Sequence, residues 1–290
     1  MLDISEAVQL SRYLETNGLA TGLLSEHFFM LGGGVSCTTI RVTPPAGQSF
    51  IIKQALPRLQ VESRWLSSPD RAHREALGIS YLEQLLPGQS VPALIRDDPE
   101  NHLLVMEDVP FPHDNWKQLL LAGTLVDDHA TQFGAMLASI HTGARQRADK
   151  FETVFSDKTF FESLRMEAYY EYTARNAPGG MKFIEALLSG TRSRNLTLVH
   201  GDYSPKNVLV RNGKLILLDH ETIHWGDPMF DIGFSLTHFL SKANHMPARR
   251  DDFARMGHLY WQAYRERADL ILSLIHISEP TRLVHSSRMP

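Results

Sequence analysis

Residues 198–210 read LVHGDYSPKNVLV, a short apolar run followed by a His-Gly-Asp loop, with Asn207 five residues after Asp202. A carboxylate and a carboxamide at that separation on one tight loop are what a site needs to orient a hydroxyl and hold a metal-bound phosphate. The next segment adds to the set. Asn212-Gly213 is a two-residue turn signal, and the symmetry of such a hairpin pairs positions whose numbers sum to about 425. Asn207 therefore falls almost opposite Asp219, with Glu221 two residues on and Asp227 and Asp231 beyond it. Two oxygen donors at the open end of a rigid ribbon suit Mg²⁺, which takes few protein groups and leaves its other positions to water and phosphate oxygens. His-Gly-Asp alone is as readily a loop beside a helix cap, and Asn-Gly alone is only a hairpin. The joint spacing of acid, amide, turn and second acid is what points to chemistry.

The rest of the chain must position that ribbon. Its 290 residues, 43% of them apolar, can bury a core large enough for one large domain or two lobes. A formal charge of −4 supplies no basic field for a phosphate-rich polymer, which sets nucleic acid aside and favours a small ligand. Cys37 is the single cysteine, so there is no internal disulfide framework and a reducing compartment is suited. The fourteen histidines are expected to be surface or hydrogen-bonded core groups. The opening MLDISEAVQL has no basic region followed by an apolar run, and no apolar stretch approaches bilayer length. The expectation is a cytoplasmic protein with no membrane partner.

After a helical opening, HFFMLGGGVSCTTIRV over 27–42 predicts a hairpin with glycines at its tip, and a further strand follows Pro44-Pro45-Ala46-Gly47 over 49–54. The 31–36 loop could bring backbone amides against a phosphate, because no side chain obstructs the approach. It is neither G-x-G-x-x-G nor a GKS/GKT loop, and three glycines are equally a flexible turn. Ser68-Pro69-Asp70 predicts a helix start, with Glu75, Gly78, Leu82 and Leu85 on its inner face and a stop at Pro87-Gly88. Strands are expected over 91–95 and 102–106, with a turn between them at 97–100. From Asp114 the pattern is helical: Phe133, Met136, Leu137 and Ile140 form one stripe, and Phe253, Met256, Tyr260 and Tyr264 belong to a helix begun near 251. The order predicts an α+β protein of two lobes, a small antiparallel-sheet lobe with one main helix over 1–108 and a larger, mostly helical one over 109–271.

HGDYSPKN, the following LLDHE and GDPMFDIG together resemble the catalytic segment of the aminoglycoside phosphotransferase and choline kinase family, small-molecule kinases with a protein-kinase-like fold. The resemblance implies that Asp202 is the catalytic base or hydroxyl-orienting acid, that Asn207 and Asp219 hold Mg²⁺, that His200 braces the loop and that Asp227 is a structural acid behind it. It further implies that Lys53, fixed by Glu75, holds α/β-phosphate oxygens, that Gly33, Gly34 and Ser36 line the phosphate loop, and that residues 103–108 form the hinge where backbone groups near Glu107 and Val109 bind the adenine edge. The implied reaction moves the γ-phosphoryl of ATP, with GTP left open, to a hydroxyl of an aminoglycoside-like antibiotic, an amino alcohol or a sugar metabolite. A catalytically silent nucleotide-binding protein of the same fold is the different-class alternative, and the presence of Lys53, Asp202, Asn207 and Asp219 weighs against it. Tyr203 stands where leucine is frequent, and Asp219-His220-Glu221 is a D-x-E more similar to choline and methylthioribose kinases, so the acceptor stays open. Glu167, Tyr169, Tyr170 and Glu171 could bind a cationic sugar or quaternary amine, or belong to an ordinary amphipathic helix.

Residues 272–290, LSLIHISEPTRLVHSSRMP, are expected not to be native. The transposase adapter of short-read libraries translates to LSLIHISEPTR, and the flow-cell sequence after a sample index translates in the same frame to SRMP. The tail is therefore excluded from fold reasoning.

Overall fold

The computed structural model describes residues 2–32, 36–57, 67–268, 271 and 273. Gly33 and Gly34 of the expected phosphate loop, and the 272–290 tail except Ser273, lie outside the described residues. The first lobe holds α1 (Ala7–Thr16), β1 (Phe28–Leu31), β2 (Cys37–Val42), β3 (Phe50–Ala55), α2 (Arg71–Leu82), β4 (Leu94–Asp98) and β5 (Leu103–Glu107), its antiparallel strands lying in the order β1-β2-β3-β5-β4. All six residues of β3 are buried, because successive side chains of a strand point to opposite faces and both faces are covered. Phe50 and Ile52 join Ile40, Val42, Leu103 and Val105 beneath Leu10 and Leu14 of α1. The alternate residues, Ile51 and Lys53, therefore face α2, where Ala76 and Ile79 pack on Leu104. One lysine in an apolar strand is thereby aimed at the helix that carries Glu75.

Several element ends differ from the sequence expectation, β4 among them, which runs on to Asp98 through the first half of the turn expected at 97–100. α2 stops at Leu82 because the amides of Gln84 and Leu85 bond three residues back, to Tyr81 and Leu82 at 3.2 and 3.0 Å, closing the helix in a tightened turn. Its regular turns start at Arg71, preceded by a turn in which the Ser68 hydroxyl accepts from the Asp70 amide at 3.3 Å, as a cap does, and donates to the Asp70 carboxylate at 2.9 Å. β4 begins at Leu94, beyond Pro92, which has no N–H for the ladder.

The second lobe follows with β6 (Asp114–Asn115), α3 (Trp116–Leu121), α4 (Asp127–Arg145), α5 (Ala148–Phe155), α6 (Thr159–Phe161), a π-helical stretch (Glu162–Glu171), α7 (Tyr172–Asn176) and α8 (Met181–Ser193). The strands β7 (Thr197–Val199), β8 (Val208–Arg211), β9 (Lys214–Leu217) and β10 (His224–Gly226) come next, then α9 (Pro228–His245) and α10 (Arg250–Arg265). The architecture is α+β and protein-kinase-like. β8 and β9 pair Val208 with Leu217 and Arg211 with Lys214, the register that a two-residue turn requires. Asn212 and Gly213 both have left-handed φ, 51° and 72°, as a type I′ hairpin demands. Among the described residues no helix is long and apolar enough to cross a membrane.

Helix α4 is the axis of this lobe. Phe133, Leu137, Ile140 and Ala144 are buried at helical spacing, and Phe253, Met256, Tyr260 and Tyr264 of α10 are buried with them. The two helices meet at Gly134, where a Cβ would lie 2.1 Å from the Tyr260 carbonyl oxygen. Gly134→Ala is expected to push them apart and lower stability by about 1–3 kcal/mol, the usual scale of overpacking, with alanine's better helix propensity offsetting only part. A urea unfolding midpoint at or above that of the parent would contradict this reading of the contact.

Candidate active site

The loop over 200–207 leaves β7 and returns through the 3-10 turn Pro205–Asn207 into β8. The Leu218 amide donates to the Asn207 carbonyl at 2.8 Å, which extends the hairpin by one pair and sets Asp219 just past Asn207. Asp219 then leaves the ladder with φ 65°. Gly201 has φ 78°, and a Cβ on it would lie 2.8 Å from Thr222 Oγ1, so only glycine lets the loop close on the 219–222 segment. Asp202 is 1% exposed. Its Oδ2 accepts from Asn207 Nδ2 at 2.8 Å, and the same amide donates to the Asp202 carbonyl at 3.0 Å. His200 braces the loop, its Nδ1 accepting from the Asp202 amide at 3.2 Å and its Nε2 lying 3.1 Å from His220 Nδ1.

The acid behind the loop is Asp231. Its two oxygens accept from the His200 and Gly201 amides at 2.7 and 2.9 Å, and His141 Nε2 lies 3.3 Å away. Asp227, expected in that place, instead caps α9 by accepting from the Met229 amide at 3.0 Å, and it pairs with Arg194 at 3.1 Å. The reason is helical geometry: the acid before the first-turn proline is taken up as the N-cap, whereas the one a turn later points inward. Tyr203 is a core residue, stacked on Phe133 at 4.1 Å and donating to its carbonyl at 2.8 Å.

On the other side of Asp202, Lys53 Nζ lies 2.7 Å from Glu75 Oε2 and 2.7 Å from Asp219 Oδ1. One ammonium thus serves two carboxylates at equal distance. Burial works against the charge of Lys53, yet Asp219 and Glu75 hold it well above its ordinary value. Burial likewise opposes the Asp219 charge and is overcome by Lys53 and Lys206, which keep the carboxyl well below the usual range. Glu75 is pushed up to about 7 by burial, which outweighs Lys53, and Asp219 and Glu221 add to the rise. Asn207 Oδ1 and Asp219 Oδ2 have no hydrogen-bond partner among the described residues. An amide oxygen and a carboxylate oxygen are a donor pair that fits a hard divalent cation completed by phosphate and water.

Ser36 contributes its carbonyl to the architecture, accepting from the Leu56 amide at 2.9 Å and from the Arg71 guanidinium. At the hinge the Glu107 amide is committed to the Ala93 carbonyl at 2.9 Å, while the Val109 amide meets no acceptor among the described residues. The Glu107 N–H is therefore removed from the expected adenine contacts.

Three cations escaped the sequence reading. Arg165, on the π-helical stretch, donates to the Gly201 carbonyl at 2.9 Å and lies 2.8 Å from Asp202 Oδ2. Lys206 Nζ lies 2.9 Å from the same oxygen, and its place beside Asn207 was a usable signal. Arg71 is fully buried and joins the carbonyls of Ser36, Leu56, Ser67 and Ser68 to Glu221 Oε2, the last at 3.2 Å, so Glu221 is the inter-lobe partner of an arginine. His220 and His224 have the four-residue spacing of a helical zinc pair, but their segment is not a helix: His220 faces His200, and His224 Nδ1 lies 3.0 Å from the Thr222 carbonyl. Of the residues considered for a cationic acceptor, Glu171 pairs with Arg192 at 2.8 Å and Tyr170 packs on Phe230 at 6.2 Å.

Residues 30–270 match the model of the phosphotransferase enzyme family. Methylthioribose kinase of Yersinia pseudotuberculosis (strain YPIII) is 28% identical over 236 residues, 72% of this chain and 58% of the relative. That of Citrobacter koseri is 26% identical over 256 residues, 77% and 64% of the two chains. The chain thus spans about three-fifths of the length of these curated relatives. Among solved structures, an amicoumacin kinase in complex with AMP-PNP and Ca²⁺ superposes with a TM-score of 0.58 at 17% identity, covering 88% of this chain and 77% of that one. A macrolide 2'-phosphotransferase from Brachybacterium faecium gives 0.54 at 18% identity, covering 92% and 88%. A match over residues 30–270, laid on a two-lobed fold with Lys53, Glu75, Asp202, Asn207 and Asp219 gathered at the cleft, means that this chain belongs to the phosphotransferase enzyme family.

Proposed function

We propose that the chain is an ATP-dependent kinase that moves the γ-phosphoryl group to a hydroxyl of a small molecule, with residues 1–108 serving the nucleotide and 109–271 the catalytic loop and acceptor. The observation that carries this reading is the continuous polar line from Glu75 through Lys53 to Asp219, each contact 2.7 Å, beside the Asp202–Asn207 pair at 2.8 Å. Lys53 holds α/β-phosphate oxygens, and Glu75 keeps its ammonium in place. The Val109 amide is the hinge donor for the base. Asp202 orients the acceptor hydroxyl and takes its proton as the oxygen bonds to the γ-phosphorus and the bond to ADP breaks. Asn207 Oδ1 and Asp219 would hold Mg²⁺, which when bound neutralises phosphate charge. Arg165 and Lys206, at 2.8 and 2.9 Å, fix the Asp202 carboxylate in direction.

The methylthioribose kinases among the relatives favour a sugar hydroxyl as the acceptor class. The test is Mg²⁺-dependent ADP release by the full chain, with ATP and with GTP, across amino sugars, amino alcohols and neutral and acidic sugars. Stimulation by one class is expected. Tight binding of AMP-PNP with no stimulated turnover in any class would favour the catalytically silent alternative.

A further inference from the structure

Helix α9 presents one face to the catalytic loop. Asp231 takes the amides of His200 and Gly201, and Ser235, one turn on, donates to the Tyr203 carbonyl at 2.9 Å. Steps of three and four residues continue that face to His238 and Lys242. Lys242 is 6% exposed, and its ammonium bonds the His238 carbonyl at 3.3 Å. Among the described residues no carboxylate lies within 4.0 Å of it or of Lys117. Phe239 packs edge-on against Trp116 at 6.1 Å, which brings the start of α3, and so Lys117, alongside. Burial first, and then Lys117, push the Lys242 ammonium down to about 8. Asn115 ties the same corner to the catalytic turn, its Nδ2 donating to the Lys206 carbonyl at 2.8 Å. Lys206 reaches Asp202 at 2.9 Å. His238 sits among Lys242, Asp202, Lys206 and Lys117, and burial followed by Lys242 pushes it down to about 4. The imidazole is neutral at pH 7, and Asp202 is the one carboxylate in that set.

Three ammonium groups therefore gather on the side of Asp202 built by the second lobe alone, and one of them is buried without a counter-ion. Desolvation and mutual repulsion both disfavour that arrangement; an anion among them relieves both. Two of the three acids of the π-helical stretch are already taken by one cation, Arg192 lying 2.6 Å from Glu162 and 2.8 Å from Glu171, which leaves Glu167 as the single acid there unpaired among the described residues. We propose that Lys117, Lys206 and Lys242 form an acceptor subsite for an anionic group, so that the molecule phosphorylated carries a carboxylate or phosphate near its reacting hydroxyl. This rests on the phosphotransferase reading of the same site.

Gluconate, glucose and glucosamine supply an acidic, a neutral and a cationic polyol for ADP release by the full chain with Mg-ATP. Gluconate is expected to be preferred. Lys117→Met and Lys242→Met should each raise the KM for gluconate about tenfold, the scale of one charge-assisted bond, with the KM for ATP unchanged. Lys242→Met replaces a buried ammonium by an apolar chain of similar length and should fold at least as stably. Preference for glucose or glucosamine, or variants without effect on the acid, overturns the proposal. A rise in the KM for ATP alone also overturns it, assigning the cations to nucleotide phosphate. If the chain turns over none of the three, sulfate is titrated calorimetrically into the chain saturated with AMP-PNP. Binding that disappears in the Lys117→Met/Lys242→Met double variant supports the subsite, and no binding refutes it. Sulfate binding without ADP release to any acceptor would count against the kinase reading and leave the anion subsite standing.

Discussion

Asp202→Asn is expected to lower turnover about 10²–10⁴-fold, the contribution usual for a positioned acid–base group, equivalent to about 2.7–5.5 kcal/mol of transition-state stabilisation. The substitution keeps volume and hydrogen-bonding shape, so Asn207 and the His200 brace should hold. Two things are lost: the site that receives the hydroxyl proton, and the negative charge that Arg165 and Lys206 face at 2.8 and 2.9 Å. Nucleotide binding should survive, since Lys53, Glu75 and Asp219 lie on the other side of the loop and make no contact with the changed group other than through Asn207. The measurement is kcat beside the dissociation constant for AMP-PNP. A kcat near that of the parent would remove Asp202 from the chemistry, whereas equal losses in binding and turnover would mean that the two freed cations had collapsed the loop.

How much of this site could be read from the chain depends on how local each interaction is. Asn212 and Gly213 made the ribbon legible because a two-residue turn sets the pairing of both strands, and the 208–217 pairing follows from two residue types. Lys53 was legible for a similar reason: alternation in FIIKQ puts it on one known face of β3, and the next helix must cover that face. Asp231 was harder, because choosing between it and Asp227 requires knowing which acid becomes the N-cap. Arg165 and Arg71 were beyond reach. The first is aimed by a π-helical stretch, whose extra residue per turn changes the direction of every following side chain, and no apolar periodicity announces such a stretch in ESLRMEAYYE. The second gathers carbonyls from three separate segments, and long-range packing alone brings those together. Gly134 belongs with them, since a glycine inside a helix pattern reads as a weakness until α10 is seen to touch it.

Asp219→Ala is expected to abolish measurable turnover, or to leave activity only at a much higher Mg²⁺ concentration, with a loss of at least about 10²–10³-fold, the scale on which one preorganised electrostatic partner of a developing charge acts. Asp219 Oδ1 lies 2.7 Å from Lys53, and its carboxyl is held well below the usual range by Lys53 and Lys206 against the effect of burial. It is therefore ionised throughout the neutral range and available to a divalent cation through Oδ2. Alanine removes that oxygen and also releases Lys53 to Glu75 alone, so loss of activity by itself would not separate a metal ligand from an ion-pair partner. Asp219→Asn separates them. It retains an oxygen for the cation but forfeits the charge that attracts Lys53, and so should regain part of the turnover at raised Mg²⁺. Thermal stabilisation by ATP without Mg²⁺ should persist in both variants through Lys53 and the hinge, while the additional stabilisation that Mg²⁺ confers on ATP should vanish in Asp219→Ala and weaken in Asp219→Asn. If Asp219→Ala kept the full Mg²⁺-dependent increment, or if a nucleotide complex showed the cation bound away from Asn207 and Asp219, the assignment of this pair would be wrong and the carboxylate would be left with the structural task of holding Lys53.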